Sequence, residues 1–183
     1  MKRLFIALHI HPTEEFLDAF DTIKEQLSTE RVKWVEEENL HLTLKFIGEV
    51  DEVMAENIKL LLKKKRSNGT IEFSIEGIGL IRNLSDPRAI YATIKNTNGI
   101  ENLYREIDSL LTEIGICAET KSFLPHLTLG RLKTVHDKEL LKDILTDFKN
   151  NYFQKEVCKE FILFESILTP KGPIYKKLSV YPV

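Results

Sequence analysis

Apolar residues recur along this chain with the spacings of strands and helices. Short β-rich apolar runs occupy residues 3–10 and 88–95. After each run, apolar residues step by three or four positions, which places them on one face of a helix. These helical positions are Phe16, Phe20, Ile23 and Leu27 in the first half, and Leu103, Ile107, Leu110 and Ile114 in the second. Thr13 is a suitable N-cap for the first helix, and Gly115 is a suitable stop for the second.

The same order of elements continues in both halves of the chain. Each half next contains the tetrapeptide His-Leu-Thr-Leu, at residues 41–44 and 126–129, and then another helical pattern. The apolar positions of these second helices are Met54, Ile58 and Leu61, and Leu141, Ile144, Leu145 and Phe148. Each half closes with a β-rich run, at 71–81 and 158–168. Matching positions lie 85 to 87 residues apart, which indicates an internal repeat.

This repeat predicts an α+β fold. We expect two β-α-β-α-β lobes related by a pseudo-two-fold axis, with antiparallel sheets lining a central cleft and helices outside. The chain would form a single bilobal domain over residues 1–183. Its expected parts are lobe 1 at about 1–81, lobe 2 at about 88–168 and a C-terminal closing strand at about 173–183. The junction is expected at 82–88, where Asn, Ser, Asp and Pro cluster.

The composition says more about the cellular location of the protein than about its function. The chain is 43% hydrophobic and 30% charged, as is common for soluble globular proteins, and its net charge of −2 gives no global attraction to nucleic acid. The two cysteines, Cys117 and Cys158, form neither a disulfide framework nor a metal-ligand spacing. No signal peptide is evident, and no apolar run approaches the ~18 residues of a membrane span. We therefore expect a cytoplasmic protein without a membrane partner.

The doubled tetrapeptide suggests acid-base chemistry. Side chains alternate between the faces of a strand, so His41 and Thr43 share one face while the motif leucines take the buried one. The same holds for His126 and Thr128, and the pseudo-two-fold axis would bring both pairs to one cleft. Two imidazoles can act as base and acid near neutral pH, and hydroxyls can hold phosphate oxygens. The set fits an in-line displacement at a phosphodiester.

The two matched pairs also have structural and metal-binding alternatives. A half-buried His or Thr often only satisfies backbone groups, and the pairs could be constraints of the fold. A catalytic zinc takes three protein ligands, and no third ligand occupies a matching repeat position. No nucleophile-elbow motif indicates Ser-His-Asp catalysis. The sequence thus predicts neither a metal nor a cofactor.

Both tetrapeptides resemble the H-x-T-x motifs of the 2H phosphoesterase superfamily. The segments at 32–50, 123–131 and 163–183 narrow this to a resemblance to the bacterial and archaeal RNA 2′,3′-cyclic phosphodiesterases, historically called 2′-5′ RNA ligases. The likeness covers essentially the whole chain. It implies metal-independent hydrolysis of a 2′,3′-cyclic phosphate to a 2′-phosphate in a cleft between two lobes.

The resemblance also implies roles for individual residues. His41 would be the proton donor to the leaving O3′, and His126 the proton acceptor that activates water. Thr43, Thr128 and Arg131 would bind the substrate phosphate. Simple alternation puts Arg131 on the wrong face, so we expect the strand to break or bulge at Gly130. Phe46 occupies the matching place in the first motif, where it would contact a base or belong to the core.

Two alternative functions stay open. One is a 2′-5′ RNA ligase that joins a cyclic-phosphate end to a 5′-hydroxyl, and the other is a non-catalytic nucleotide-binding module. The expected partners are RNA ends or nucleotides carrying a 2′,3′-cyclic phosphate, and no obligate protein partner is inferred. His9 and His11 are expected to be turn and surface residues, and His136 is expected to lie near a helix start. The sequence assigns no role to Tyr175 or to the basic run 63–66.

Overall fold

The computed structural model describes residues 1–67, 69–117, 122–170 and 172–183. Within these ranges the chain forms nine β-strands, four α-helices and one short 3-10 helix. In chain order the elements are β1 Lys2–His9, α1 Glu14–Gln26, β2 Arg31–Trp34, the 3-10 helix Glu37–Asn39, β3 His41–Val50, α2 Glu52–Leu62, β4 Ile71–Ile81, β5 Ala89–Lys95, α3 Asn98–Glu113, β6 His126–Thr134, α4 Lys138–Asp147, β7 Tyr152–Cys158, β8 Glu160–Thr169 and β9 Gly172–Pro182. The four helices predicted from apolar spacing are confirmed.

Local signals in the sequence set several helix ends. At the start of α1, the Thr13 hydroxyl accepts a hydrogen bond from the Phe16 amide, as the predicted N-cap requires. Asp51 and Asp137 accept equivalent bonds at the starts of α2 and α4. Just beyond α3, Gly115 has a φ of +83°, a conformation that glycine adopts without steric cost. These caps satisfy backbone groups that the helices cannot pair internally.

The buried face of α3 differs from the prediction at its C-terminal end. Its buried residues are Ile100, Leu103, Ile107 and Leu111. Leu110 and Ile114, which the sequence pattern puts on this face, are only partly buried. Positions 110 and 111 are both leucine, so a stripe that steps by three or four can continue through either of them. Packing against the sheet selects Leu111.

All nine strands join in one antiparallel sheet. Its order is β7-β4-β5-β6-β3-β1-β8-β9, and β2 pairs with β6 beside this path. The predicted α+β class with antiparallel strands is therefore confirmed. At the centre of the sheet, β3 and β6 share one registered residue pair, Leu42 with Leu127. The C-terminal strand β9 lies at one end of the sheet.

Each side of the sheet contains strands from both halves of the chain. β4 comes from the first half but pairs with β5 and β7, while β8 comes from the second half and pairs with β1. The lobe limits of about 1–81 and 88–168 thus stay a prediction about the sequence repeat, and the spatial halves have a different composition. The cause is the segment 82–88, which is the turn of a β4–β5 hairpin.

The helices cover one face of the sheet and leave the other face open. The main core contains side chains from all four helices and inward-facing strand residues such as Leu42 and Leu127. A smaller apolar cluster, made by Phe5, Ala7, Ile162 and Phe164, lies on the opposite face of β1 and β8. We call this uncovered side the cleft face. Among the described residues, every helix is too short or too polar to cross a bilayer.

Candidate active site

The two His-Leu-Thr-Leu segments lie side by side at the centre of the sheet. β3 begins at His41 and β6 begins at His126, and the two strands run antiparallel. In both motifs the leucines are buried while the histidine and threonine are partly exposed, so the predicted alternation is confirmed. The side chains that the motifs present on the cleft face are His41, Thr43, His126 and Thr128.

His41 is oriented by a backbone carbonyl and by two aromatic rings. Its Nδ1 lies 2.6 Å from the carbonyl oxygen of Asn39. A carbonyl oxygen only accepts hydrogen bonds, so Nδ1 carries the hydrogen and Nε2 remains for a substrate. The ring centroids of Phe5 and Tyr175 each lie 5.1 Å from that of His41. These contacts fix the plane in which Nε2 points.

His126 is held in the same way by the second half of the chain. Its Nδ1 lies 2.8 Å from the carbonyl oxygen of Leu124, again two residues earlier, which leaves Nε2 available. The Tyr91 ring lies 5.4 Å from the His126 ring. Phe5 and Tyr91 are matching positions of the repeat, 86 residues apart. Each half thus supplies an aromatic ring beside its own histidine.

Charges from the second motif act on the first histidine. Burial lowers the pKa of His41, and the positive charges of Arg131 and His126 lower it further. The hydrogen bond to the Asn39 carbonyl opposes this shift because it favours the protonated ring. The coupling indicates that His41, His126 and Arg131 converge on one volume of the cleft.

A β-bulge follows the threonine of the first motif. The register between β3 and β1 slips by one residue at Leu44, so the alternation of faces reverses beyond it. Lys45 therefore turns inward and Phe46, 53% exposed, turns outward. The Phe46 ring lies on the cleft face, with its centroid 5.9 Å from that of Phe5.

The second motif contains a bulge at the matching position. The register between β6 and β5 slips at Leu129, between Thr128 and Gly130. Gly130 is buried and Arg131 is exposed on the cleft face, where its charge reaches His41. The expectation of an interruption near Gly130 is confirmed, although the extra residue is Leu129. The six predicted site residues therefore share one face of the sheet.

Different contacts stabilise the two bulges. The Lys45 side chain is 1% exposed, and its Nζ lies 2.5 Å from an Asp108 carboxylate oxygen in α3 and 3.1 Å from the Cys117 carbonyl oxygen. At the matching position in β6, a Cβ on Gly130 would lie only 2.7 Å from the Trp34 ring. A buried ion pair therefore lies on the core side of the first bulge, and the Trp34 ring packs closely on the core side of the second.

Tyr175 is a site residue that the sequence did not assign. Its ring lies edge-on to Phe5 and His41, at centroid distances of 4.9 and 5.1 Å. Burial raises the pKa of its hydroxyl, and the charges of Arg131 and Arg3 oppose this, so the hydroxyl faces the cationic part of the cleft. Tyr175 reaches His41 because β9 pairs with β8 and β8 pairs with β1, which spacing along the chain does not reveal.

The remaining histidines only partly follow their predicted places. His9 is the last residue of β1 and lies opposite His41 on the cleft face, so its prediction as a turn residue is wrong. Burial, helped by neighbouring positive charges, lowers the pKa of His9 to about 4. His11 is exposed at the surface, as predicted, and His136 lies two residues before α4, near a helix start as predicted. Within the described ranges, no three metal-ligating side chains are grouped together.

Comparison with known proteins finds the same repeat. The family profile of the LigT-like phosphoesterases matches residues 9–91 and again residues 94–175. The RNA 2′,3′-cyclic phosphodiesterases of Methanocaldococcus jannaschii and Thermotoga maritima are each 37% identical to the chain, over 174 and 182 residues. These alignments cover 95% and 96% of this chain, and 96% and 92% of those proteins. The crystal structure of TT0787 from Thermus thermophilus superposes with a TM-score of 0.81 at 26% identity, covering 98% of this chain and 97% of that one.

Proposed function

Because this chain belongs to the LigT-like phosphoesterase family, we propose that it hydrolyses ribose 2′,3′-cyclic phosphates to 2′-phosphates. One observation carries the proposal: His41 and His126 face one cleft from adjacent strands, each with Nδ1 bound to a backbone carbonyl and Nε2 left for the substrate. Two imidazoles held this way supply one acid and one base on either side of a phosphorus atom. The names of the Methanocaldococcus and Thermotoga relatives support the same substrate class.

The proposed reaction is an in-line displacement at phosphorus. Nε2 of His126 takes a proton from water while the water oxygen forms a bond to phosphorus. The bond between phosphorus and O3′ breaks, and Nε2 of His41 gives its proton to O3′. The product keeps the phosphate on O2′, and one water is consumed. His41 and His126 exchange protons with solvent before the next turnover.

The other polar groups of the cleft would hold the phosphate during this exchange. The hydroxyls of Thr43 and Thr128 lie on the same face as the two histidines and donate to nonbridging oxygens. Arg131 contributes a permanent positive charge, which favours the negative charge that accumulates on the phosphorane-like transition state. This arrangement supplies charge stabilisation from the chain itself and does not call for a metal or a cofactor.

Aromatic residues would position the nucleoside. The exposed Phe46 ring offers a face to a base, and Tyr175 fixes the His41 ring from the side. Tyr175 acts as a positioning residue in this scheme, because it contacts the imidazole rather than the phosphate. The expected substrates are RNA ends or nucleotides that carry the cyclic phosphate. A cytoplasmic location, predicted from the sequence, agrees with two cysteines that are both free.

Identification of the product isomer tests the proposal. Purified protein is incubated with each nucleoside 2′,3′-cyclic phosphate and with a short RNA bearing the same end, and products are separated by chromatography. We expect 2′-phosphates in every reaction. A 3′-phosphate would contradict the assignment of O3′ as leaving group, and the absence of turnover on every substrate would contradict the function. A joined product with a 5′-hydroxyl RNA would indicate a ligase.

A further inference from the structure

The small apolar cluster on the cleft face extends the site away from the phosphate. Phe5 belongs both to this cluster and to the surroundings of His41. From there the cluster continues across β1 to β8, where the Phe164 ring stacks on Phe5 with a centroid distance of 5.1 Å and an interplanar angle of 13°. Tyr175 packs against both rings from β9. Phe5, Phe164 and Tyr175 thus form a continuous aromatic surface, which extends from His41 to β9 at the end of the sheet.

Cationic side chains lie beside this aromatic surface. Lys177 lies opposite Phe164 in the β8–β9 pairing, on the cleft face, and it is exposed. Phe164 in turn lies opposite Phe5 in the β1–β8 pairing, so Lys177 is in the same row across the sheet as these two rings, and its positive charge acts on His9. Arg3 lies on the same face near Tyr175, opposite Glu49. Neither Lys177 nor Arg3 forms a salt bridge with any other residue that the structure describes.

The opposite half of the sheet has a more acidic surface. Beyond His126 and Tyr91, the cleft face of β4 carries Glu72, Ser74 and Glu76. Glu72 already holds the cation of Lys155, with 2.6 Å between Nζ and the carboxylate, and Glu76 accepts a hydrogen bond from Ser74. Lys95, opposite Ser74, and Tyr152, opposite Glu76, are exposed on the same face, but the carboxylates on either side of Ser74 disfavour a phosphate chain there. A polyanion that leaves the cleft is therefore favoured over β1, β8 and β9.

We infer that the upstream part of an RNA strand binds over β1, β8 and β9, with the phosphate that precedes the terminal nucleotide at Lys177. Aromatic rings next to unpaired cations are the usual means of holding single-stranded nucleic acid, since bases stack on rings while cations neutralise phosphates. The inference rests on the proposed function and adds a preference: the protein selects RNA ends over free cyclic nucleotides.

The test compares substrates with RNA of different length and a variant that lacks the Lys177 side chain. Steady-state kcat/KM is compared for a nucleoside 2′,3′-cyclic phosphate and for a trinucleotide with the same cyclic end. In parallel, the binding of a trinucleotide with a 2′-phosphate end is measured by titration at several salt concentrations, which requires no turnover. The test variant is Lys177→Ala. The matched control is Lys176→Ala, which removes the same charge from the neighbouring position on the other face, opposite Glu165.

The inference makes quantitative demands on these variants. Wild type and Lys176→Ala should prefer the trinucleotide, and Lys177→Ala should bind it roughly three- to tenfold more weakly while its turnover of the cyclic mononucleotide stays unchanged. Loss of one phosphate contact should also make the slope of log affinity against log salt shallower by about 0.7.

Different outcomes separate this inference from the proposed function. Equal kcat/KM for both substrates in wild type, or equal losses in the Lys176 and Lys177 variants, would overturn the inference and leave the hydrolysis intact. Hydrolysis of neither substrate, together with Lys177-dependent binding of the trinucleotide, would overturn the hydrolysis and keep the RNA surface. Trinucleotide binding that Lys177→Ala does not weaken would overturn the RNA surface, whatever the turnover.

Discussion

His41 and His126 each donate Nδ1–H to the carbonyl oxygen two residues earlier, but their surroundings differ. His41 contacts both Phe5 and Tyr175, and its pKa is lowered chiefly by burial. The ring contact described for His126 is with Tyr91 alone. The repeat thus orients both imidazoles alike, while unequal packing makes the two chemically distinct. A lowered pKa favours the neutral ring of His41, which by itself suits a base, so the role of His41 as proton donor rests on the family resemblance and is tested by the leaving group below.

Removal of either imidazole should stop most of the turnover. We expect His41→Ala and His126→Ala each to lower kcat roughly 10²–10⁴-fold, the usual contribution of one positioned acid or base. Both side chains face the cleft, so thermal unfolding should stay close to that of wild type. His136→Ala, which removes an exposed imidazole outside the cleft, is the control. Near-normal turnover in either test variant would refute the two-histidine scheme.

A better leaving group should distinguish the two roles. A ribose alkoxide is strongly basic and needs a proton to depart, whereas a nitrophenolate does not. We therefore expect His41→Ala to be badly impaired on a cyclic nucleotide and much less impaired on a nitrophenyl phosphodiester. His126→Ala should be impaired on both, because water still needs a base. Rescue of His126→Ala instead would exchange the roles, and rescue of neither would assign phosphate positioning to His41.

The coupling between Arg131 and His41 is measurable without substrate. The guanidinium charge lowers the pKa of His41, so Arg131→Met should raise it and leave the ring protonated to higher pH. Titration of the imidazole proton signals by NMR gives this pKa directly. Lys133→Met removes the same charge further along β6, at a position that does not shift His41, and serves as the control. An unchanged pKa in Arg131→Met would mean that the guanidinium points away from His41.

At the scale of elements, each motif strand follows simple alternation for four residues and then departs from it. The glycine at position 130 signals the interruption in β6, but Lys45 gives no such signal in β3. Alternation alone would bury Phe46 and expose Lys45, the reverse of what the structure has. A bulge depends on the register with a partner strand, and a single sequence does not contain that register.

The same dependence on partners explains which elements the sequence missed. Strands β2 and β7 have no place in the predicted repeat, because β2 is only four residues long and β7 is rich in polar residues. Helices carry their own periodicity and caps, and all four were predictable. The motif residues were predictable because the tetrapeptide is repeated. Tyr175 was not, since its position depends on two successive strand pairings.

The buried Lys45 should support the first motif through its ion pair. Lys45→Met would leave Asp108 without its cation, so we expect a loss of about 3 kcal/mol in the free energy of unfolding, measured with urea. The double variant Lys45→Met, Asp108→Leu should recover much of this loss, because no unpaired charge then remains. If the double variant is as unstable as the single one, the ammonium contributes through the Cys117 carbonyl instead.

At the scale of the whole molecule, the cleft draws on both halves of the chain. β4 fills the half that holds His126, and β8 and β9 bring Phe164 and Tyr175 to the half that holds His41. The His41 side of the site is therefore complete only with residues from the second half of the sequence. The exchange also gives the two sides of the cleft different surfaces, aromatic and cationic on one side and mixed acidic and cationic on the other. A sequence repeat has thereby produced an asymmetric site.

Charge neutralisation at the phosphate is a property of this assembled cleft. Arg131 comes from one side and the threonine hydroxyls from both, so the chain can stabilise a negative transition state with its own groups. We expect turnover to survive exhaustive dialysis against EDTA, with metal content determined on the same sample. Untreated protein with added magnesium is the control and should be no faster. Activity that chelation abolishes and a single divalent cation restores would show that the cleft needs a metal to do what Arg131 is proposed to do.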